Sequence, residues 1–578
     1  MQKALNLRIY LIVIVVIVGE TAFSADIAHP LSDYRLYQLL DELASYGLID
    51  LNSAVKPYGK KWISRQLLAN TIDSVTNKLP ARIRQELEFQ LQKFTAETPK
   101  NTQLQAPTRK NSFGVIRFWP PEFNYTEDEF QASIRPVMER HLITNGKGTL
   151  HQEKMGVSFF SYTGKHLAVY GSVSTLSNRG DGLLSKAGYL SNEPGVVYTK
   201  GTEYSESKGG IVVGNHRYSL SLTKDEIIRG DNLNGSNLLS GRAPTFPSLN
   251  LRLKPADWFE FTYFHGWLVS NLTDSTRYYV DNLKQKHYRP HKKYMAANFL
   301  TFTPLRGLKI SVGNAVVYAE DQPYPGFFIP LAFYKSIDHA TTKEARLENQ
   351  NSQLLFNISS RNIKHLHLFS SVYIDDVQWR RFLPNSRERN PISYKLGAQL
   401  SNFPFTNLSI GGEYTCSYIL NYKHSIPVLS WSSNSYNLGH YLGDNARELY
   451  LELMFKPISG LDIKLYFLDA MKGNEYEYIR RGIFNNKRYT VMDIISNPSP
   501  GDVIWTNQSM GLNINYEIFR NVYAVVNLMQ STIQGHDAKS AVVFGEQRMT
   551  AQEAINRYTP KILHGKNTTL KTGISLNF

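Results

Sequence analysis

The chain of 578 residues contains a single cysteine, Cys416. No disulfide can close within it, and no cysteine-based zinc motif is available. Cys416 falls in an expected strand, Ile410 to Leu420, as a small packing residue. No cysteine lies near the N-terminus to carry a lipid anchor. Beyond the N-terminus no apolar run reaches ~18 residues, which excludes a helical membrane span. No run of five Lys or Arg occurs, so nucleic acid is not an expected partner. Gly-x-Ser-x-Gly, P-loop and HExxH signatures are all missing, so no enzyme is expected, and nothing calls for a cofactor or a metal.

What the chain does have is aromatics and alternation. It carries 35 Tyr and 29 Phe against 7 Trp, and only 20% of its residues are charged. A polar-average, tyrosine-rich chain of short alternating runs suits a transmembrane β-barrel, in which one face of each strand meets lipid. A soluble all-β protein shares the alternation. The net charge of +15 points to anionic polymers or anionic lipid headgroups as partners, unless it is spread over solvated loops.

The first residues read as a leader for export. Lys3 and Arg8 precede an apolar run, Ile9 to Val18, and Ala22-Phe23-Ser24 supplies small residues for cleavage after Ser24. Residues 25–100 then carry helical signals. Ser32 or Asp33 can cap a helix with Leu36, Leu39, Leu40 and Leu43 on one face, stopped by Gly47. A second helix is expected from Lys61 to Thr76, burying Ile63, Leu67, Leu68 and Ile72. Pro80 opens a third, with Ile83, Leu87, Leu91 and Phe94 aligned. A polar linker occupies residues 101–111.

From residue 112 the period becomes two. Leu167, Val169, Gly171 and Val173 alternate with polar neighbours, as do Leu449, Leu451 and Leu453, and Leu461, Ile463, Leu465 and Phe467. Asn145-Gly146, Arg306-Gly307 and Ser459-Gly460 mark turns. Asn178–Glu206 and Asn474–Gly501 read as surface loops. The chain ends on Leu570, Thr572, Ile574, Leu576 and Phe578, alternating with polar residues, as a closing strand would. Residues 112–578 thus predict a closed antiparallel barrel of roughly 16–20 strands in a bacterial outer membrane.

An ordered set of segments carries a family resemblance. It comprises Gly235-Ser236-Asn237-Leu238-Leu239-Ser240-Gly241-Arg242-Ala243-Pro244, Trp258 to Leu268, Leu300 to Pro304, Pro330 to Tyr334, Glu348 to Ser352, Val372 to Asp376 and His440 to Tyr450. Their order resembles the Wzi family of capsule-assembly outer-membrane proteins, in the form found in Bacteroidetes. The resemblance implies roughly 18 strands, a periplasmic helical bundle, and a lectin-like, non-enzymatic role in assembly or surface attachment of capsular polysaccharide. His265, Trp267, Asp375, Asp376 and Arg447 fall in these segments and are expected to be structural. Before the Leu-Leu-Ser segment this chain reads Asp225-Glu226-Ile227-Ile228-Arg229-Gly230, where better-studied members carry a tryptophan and glycines.

Other residues invite chemistry. Asp375 and Asp376 are adjacent, so in a strand they face opposite ways and cannot act together on one bond. One is expected in the lumen beside a lysine or arginine. His365 and His367 are spaced to share a strand face but lack a third metal ligand. For sugar, the candidates are Tyr198 and Tyr204 in one long loop and Tyr476, Tyr478, Arg480 and Arg481 in another, since rings stack on pyranoses and cations hold acidic groups. An aromatic girdle would use the same tyrosines. A diffusion porin, or an accessory barrel of a secretion machine recruited through the helical domain, is the competing reading.

Overall fold

In a computed structural model of the chain, the described residues are 25–71, 79–94, 97, 109–111, 114–118, 121–182, 184–198, 201–215, 217–344, 349–376, 380, 390–475, 499–539 and 548–576. The expected leader and Phe578 lie outside them. Among them no helix is long and apolar enough to cross a membrane.

Eighteen antiparallel strands close into one barrel. In chain order they are β1 (Phe130–Asn145), β2 (Gly148–Thr163), β3 (Leu167–Gly180), β4 (Glu203–Gly214), β5 (Tyr218–Asp225) and β6 (Phe246–Ala256). Next come β7 (Phe259–Leu268), β8 (Lys293–Leu305), β9 (Leu308–Tyr318), β10 (Gln350–Ser360), β11 (Leu366–Ile374) and β12 (Ile392–Ser401). The last six are β13 (Leu408–Ser417), β14 (Ala446–Phe455), β15 (Leu461–Gly473), β16 (Val503–Phe519), β17 (Val522–Gly535) and β18 (Gly565–Leu576). Each pairs with the next, and β18 returns to β1 with Leu576 opposite Met138 and Leu570 opposite Thr144. The other half of β1 is taken by a preceding strand, Pro121–Glu127, with Phe123 opposite Ile134. β1 therefore pairs on one edge with two strands in succession.

The alternation read from the sequence is the outside and inside of this wall. Leu570 and Ile574 of β18, Met510 of β16 and Leu465 of β15 are all exposed, Ile574 by 61%. Their sequence neighbours Thr569, Ser575, Ser509 and Lys464 point inward. A ring that is apolar outside, with no free sheet edge, is built for a bilayer. The protein is an integral protein of the bacterial outer membrane.

One end of the barrel has short turns, among them residues 306–307, 402–407, 456–460 and 520–521. The other carries long connections. The helices cover the short-turn end. Helix α1 (Tyr34–Ser45) starts on Asp33, whose carboxylate accepts from the Leu36 N–H, and ends before Gly47 at φ +75°. Helix α2 runs Lys60–Ala69, not Lys61 to Thr76; residues 72–78 lie outside the described set. At its start the Asp26 carboxylate accepts from Lys61 N (2.7 Å) and Trp62 N (3.0 Å), a cap from outside the helix that its own sequence does not announce. Helix α3 is Ala81–Leu91. Leu36, Leu40, Leu43, Ile63, Leu67, Ile83 and Leu87 are fully buried in a core these helices share. Each such side chain contributes ~1.5–3 kcal/mol.

The helices are bound to the turns beneath them by buried charge. Glu42 meets Arg82 at 2.6 Å and the Lys456 ammonium. Arg35 meets Glu86 (2.7 Å), Asp462 and Glu517 (both 3.6 Å), and Lys93 lies between Asp33 (2.9 Å) and Glu517 (2.8 Å). Glu86 also accepts from the Gly460 N–H at 3.0 Å. Burial alone raises the Glu42 carboxyl, but Lys456 and Arg82 outweigh it and hold it at about 2. Burial likewise opposes ionisation of Glu86, and Arg35 with Gln90 brings it to about 2.

Two sequence expectations are corrected. His365 is not a strand residue sharing a face with His367. It sits in the turn before β11 at φ +70°, its ring edge-on to Tyr46, while His367 points into the lumen against Ser359. Tyr204 lies in β4 rather than in a loop, because β3 continues to Gly180 and β4 begins at Glu203.

Both carboxyls sit near 4.5 when free and near 2 when docked. Their contribution is therefore complete above pH 4.5 and is lost as pH falls through 2. Pepsin should cut between residues 34 and 91 only below about pH 3, whereas an E42Q/E86Q double variant should be cut already near pH 4.5. Equal cutting of the wild type at both pH values would refute the latch.

Candidate functional site

The lumen is filled from both ends. The connection between β5 and β6, residues 226–245, turns inward and crosses the barrel. Ile228–Arg229 pairs with Val55–Lys56 from the helical segment, and the Gly230 N–H donates to Ala54 O at 2.9 Å. Asp231 N–H donates to the Asn357 side chain at 3.0 Å, and Asn357 returns a bond to the Asp231 carboxylate at 2.8 Å. The Glu413 carboxylate accepts from Leu233 N (2.7 Å) and Asn234 N (2.9 Å). Asn237 donates to Ser393 O at 3.1 Å, and Tyr422 Oη donates to Asn237 O at 2.7 Å. Leu238 and Leu239 pack with Phe264, Phe299, Tyr373 and Trp431. The Gly235–Pro244 segment that carries much of the family resemblance is thus a plug. Inward Asn357 and Glu413 of the wall accept from its backbone, as burial requires, and Ser371 and Ser393 bond the Asn237 side chain.

On each side of the plug space remains. Inside, a cavity of about 360 Å³ runs along β1–β5 down to Pro30 and Lys60. Tyr198 and Tyr204 meet at its wall, rings edge-on with centroids 5.6 Å apart. Its charges are mixed. Lys154 faces Glu139 and Glu206, and Lys208 meets Glu226 at 2.8 Å. At the long-loop mouth a second cavity, about 460 Å³, opens outward. Five cations line it (Arg242, Lys293, Lys423, Lys472, Arg557) against two carboxylates, Asp444 and Glu475.

Those charges are unevenly paired. Glu475 is already held by Lys423, Arg557 (3.1 Å), Lys472 (3.7 Å) and the Tyr558 hydroxyl (3.1 Å). Burial works against its ionisation, yet Lys423, Lys472 and Arg557 keep the carboxyl well below its usual range. Lys293 donates to Ser430 O (2.7 Å) and Ser432 Oγ (3.3 Å). Arg242 donates to Tyr189 O (2.8 Å) and stacks on Tyr436 at 5.0 Å, but its buried Nε has no acceptor. Burial pulls Arg242 down to about 10. Both groups are desolvated and bonded to neutral partners; burial lowers Lys293 to about 7, and an incoming carboxylate, phosphate or sulfate favours its charged form.

The other sequence candidates divide. Tyr476, Tyr478, Arg480 and Arg481 lie outside the described residues. Asp375 does face the lumen, but Asn351 donates to it at 3.0 Å where a lysine or arginine was expected. Asp376 follows beyond the strand end. Arg447 points to the outer face at the start of β14, its guanidinium 3.2 Å from Met471 Sδ. His265 and Trp267 also point outward, and His265 bonds Tyr318 Oη at 2.7 Å. Arg242 was quoted within a motif and Lys293 not at all. A lone basic residue in a loop announces nothing until the fold shows that its neighbours are neutral.

Fold and lumen define an outer-membrane barrel crossed, among the described residues, by a segment of its own chain. No family model matches the chain, and no curated protein matches it in sequence. Among solved structures, Wzi from Escherichia coli superposes with a TM-score of 0.54 at 10% identity, over 96% of this chain and 100% of that one. It is described as an outer-membrane protein involved in group 1 capsule assembly and a carbohydrate-binding β-barrel. OprD from Pseudomonas aeruginosa (TM-score 0.40, 8% identity, 77% and 94% covered) and OccD3 from the same organism (0.40, 10%, 80% and 95%) also match. The likeness to Wzi is one of fold.

An R242A/K293A double variant should bind a sulfated or carboxylated polymer about tenfold or more weakly than the wild type. Titration calorimetry at low salt reads this, and an unchanged affinity would disprove charge recognition.

Proposed function

We propose that this protein is a non-enzymatic barrel that holds acidic surface polysaccharide at the cell exterior and serves capsule assembly or attachment. The observation that carries the reading is the plug. Among the described residues, 226–245 lie across the lumen and helices lie over the short-turn mouth, both set against free diffusion of solutes. What the long-loop end offers instead is a net-cationic vestibule. Short turns face the periplasm in barrels of this kind, which supports a vestibule on the outer side and helices on the periplasmic side. The resemblance of the plug and wall segments to the Wzi family, and the shared fold, support the same reading.

The experiment compares a deletion strain with its parent. Polymer synthesis should continue while cell-bound capsule falls and polymer appears in the medium; unchanged retention would sink the proposal. In planar bilayers the purified protein should give no steady conductance, and removal of residues 233–241 should open one. A steady current through the intact protein would favour a porin.

A further inference from the structure

The connection between β9 and β10 leaves the mouth and folds down the outside of the wall. Register fixes which side is outside. The exposed Leu220 is opposite Leu251, which is opposite Tyr263, then Asn298, then Asn314. These last three therefore face the membrane side, and polar groups there would be unsatisfied against hydrocarbon. The connection satisfies them. Tyr263 Oη donates to Phe327 O (2.9 Å), and Asn298 Nδ2 to Pro330 O (2.9 Å) and Ala332 O (3.1 Å). The Tyr334 N–H donates to Asn314 Oδ1 (2.8 Å), and Ser352 Oγ donates to the Asp338 carboxylate (2.7 Å). His265 lies under the same cover, stacked on Phe328 at 4.2 Å. Bonds to four strands, β7 to β10, and a buried aromatic cluster make this a built flap, ending in helix α4 (Tyr334–Glu344).

The flap turns an apolar crest away from the barrel. Ile329, Leu331 and Phe333 are 56%, 71% and 52% exposed. Below it the bare wall continues with Phe302, Ile310 and Val312. Above it stands a hairpin, Thr273–Val280 with Lys286–Pro290, that prolongs β7 and β8 beyond the rim. Flap and hairpin are joined: the Arg277 guanidinium pairs with Asp321, and Lys292 Nζ donates to Asp321 O at 2.6 Å. The hairpin exposes Tyr278, Tyr279 and Tyr288, with Lys286 over the Tyr278 ring at 4.6 Å. From Asn271 to Lys292 there are five Lys or Arg and two Asp.

We propose that flap and hairpin together seat a phosphorylated glycolipid of the outer leaflet. The vertical order matches that molecule: an apolar crest for acyl chains, tyrosines at the interface, and cations above for phosphate. Clustered cations rather than one favour a glycolipid with phosphate on a sugar headgroup over a zwitterionic phospholipid. The inference is independent of the polysaccharide reading, since the surface is lateral and separate from the vestibule.

The test reconstitutes the full chain into phosphatidylethanolamine nanodiscs holding lipid A or phosphatidylglycerol as a minor component. Native mass spectrometry then counts retained lipid. Wild type should retain lipid A over phosphatidylglycerol, and a K286A/R289A variant should retain about tenfold less. An L331S/F333S variant should also lose lipid A, with heat-modifiable gel migration reporting an intact barrel in each variant. Equal retention in all variants, equal retention of both lipids, or a dimer formed through the crest would overturn the proposal.

Discussion

Hydrocarbon offers no partner for a hydrogen bond, and this constraint organises the molecule. A ring is the only sheet without an edge, so β18 has to find β1. The same rule reappears wherever a polar atom faces out: Asn298 and Asn314 are tolerated on the membrane side because the flap brings carbonyl and amide groups to them. Inside the ring the demand is met by protein, as Glu413 and Asn357 accept from backbone N–H groups of the inserted segment and Ser393 O accepts from its Asn237 side chain. Sealing the wall and filling the lumen are two answers to one requirement.

The helical module shows a different balance. Its own leucine core would hold three helices together, but it would not set them on the barrel. That is done by Arg35, Glu42, Arg82, Glu86 and Lys93, nearly all buried against turns of the last strands. Buried ion pairs gain little net stability, because desolvation offsets attraction. Their exact geometry instead selects one docked pose.

Period two was legible in the sequence because each wall residue sees only lipid or lumen. Leu570, Ile574 and Leu465 announced their side without knowledge of their neighbours. Helices α1 and α3 were legible for the same reason, with Asp33 and Gly47 marking one of them. What stayed hidden depends on distant pairing. The cap on α2 comes from Asp26, outside the helix it starts. His265 and Trp267 were expected only to be structural, and the loop some sixty residues on that covers His265 and packs with Trp267 was not foreseen. Tyr204 looked like loop because polar strand residues above the membrane carry no apolar signature. Arg242 became a site candidate only once its companions proved to be a carbonyl and a ring.

The strand pairing of Val55–Lys56 with Ile228–Arg229 joins the N-terminal part of the chain to a segment inside the cylinder. The Gly230 N–H donates to Ala54 O in the same ribbon, and the turns that clamp the helices belong to the last strands of the chain. Plug and helices therefore share a backbone, not only a neighbourhood. A push on the plug from one mouth is carried by this short ribbon to the opposite mouth.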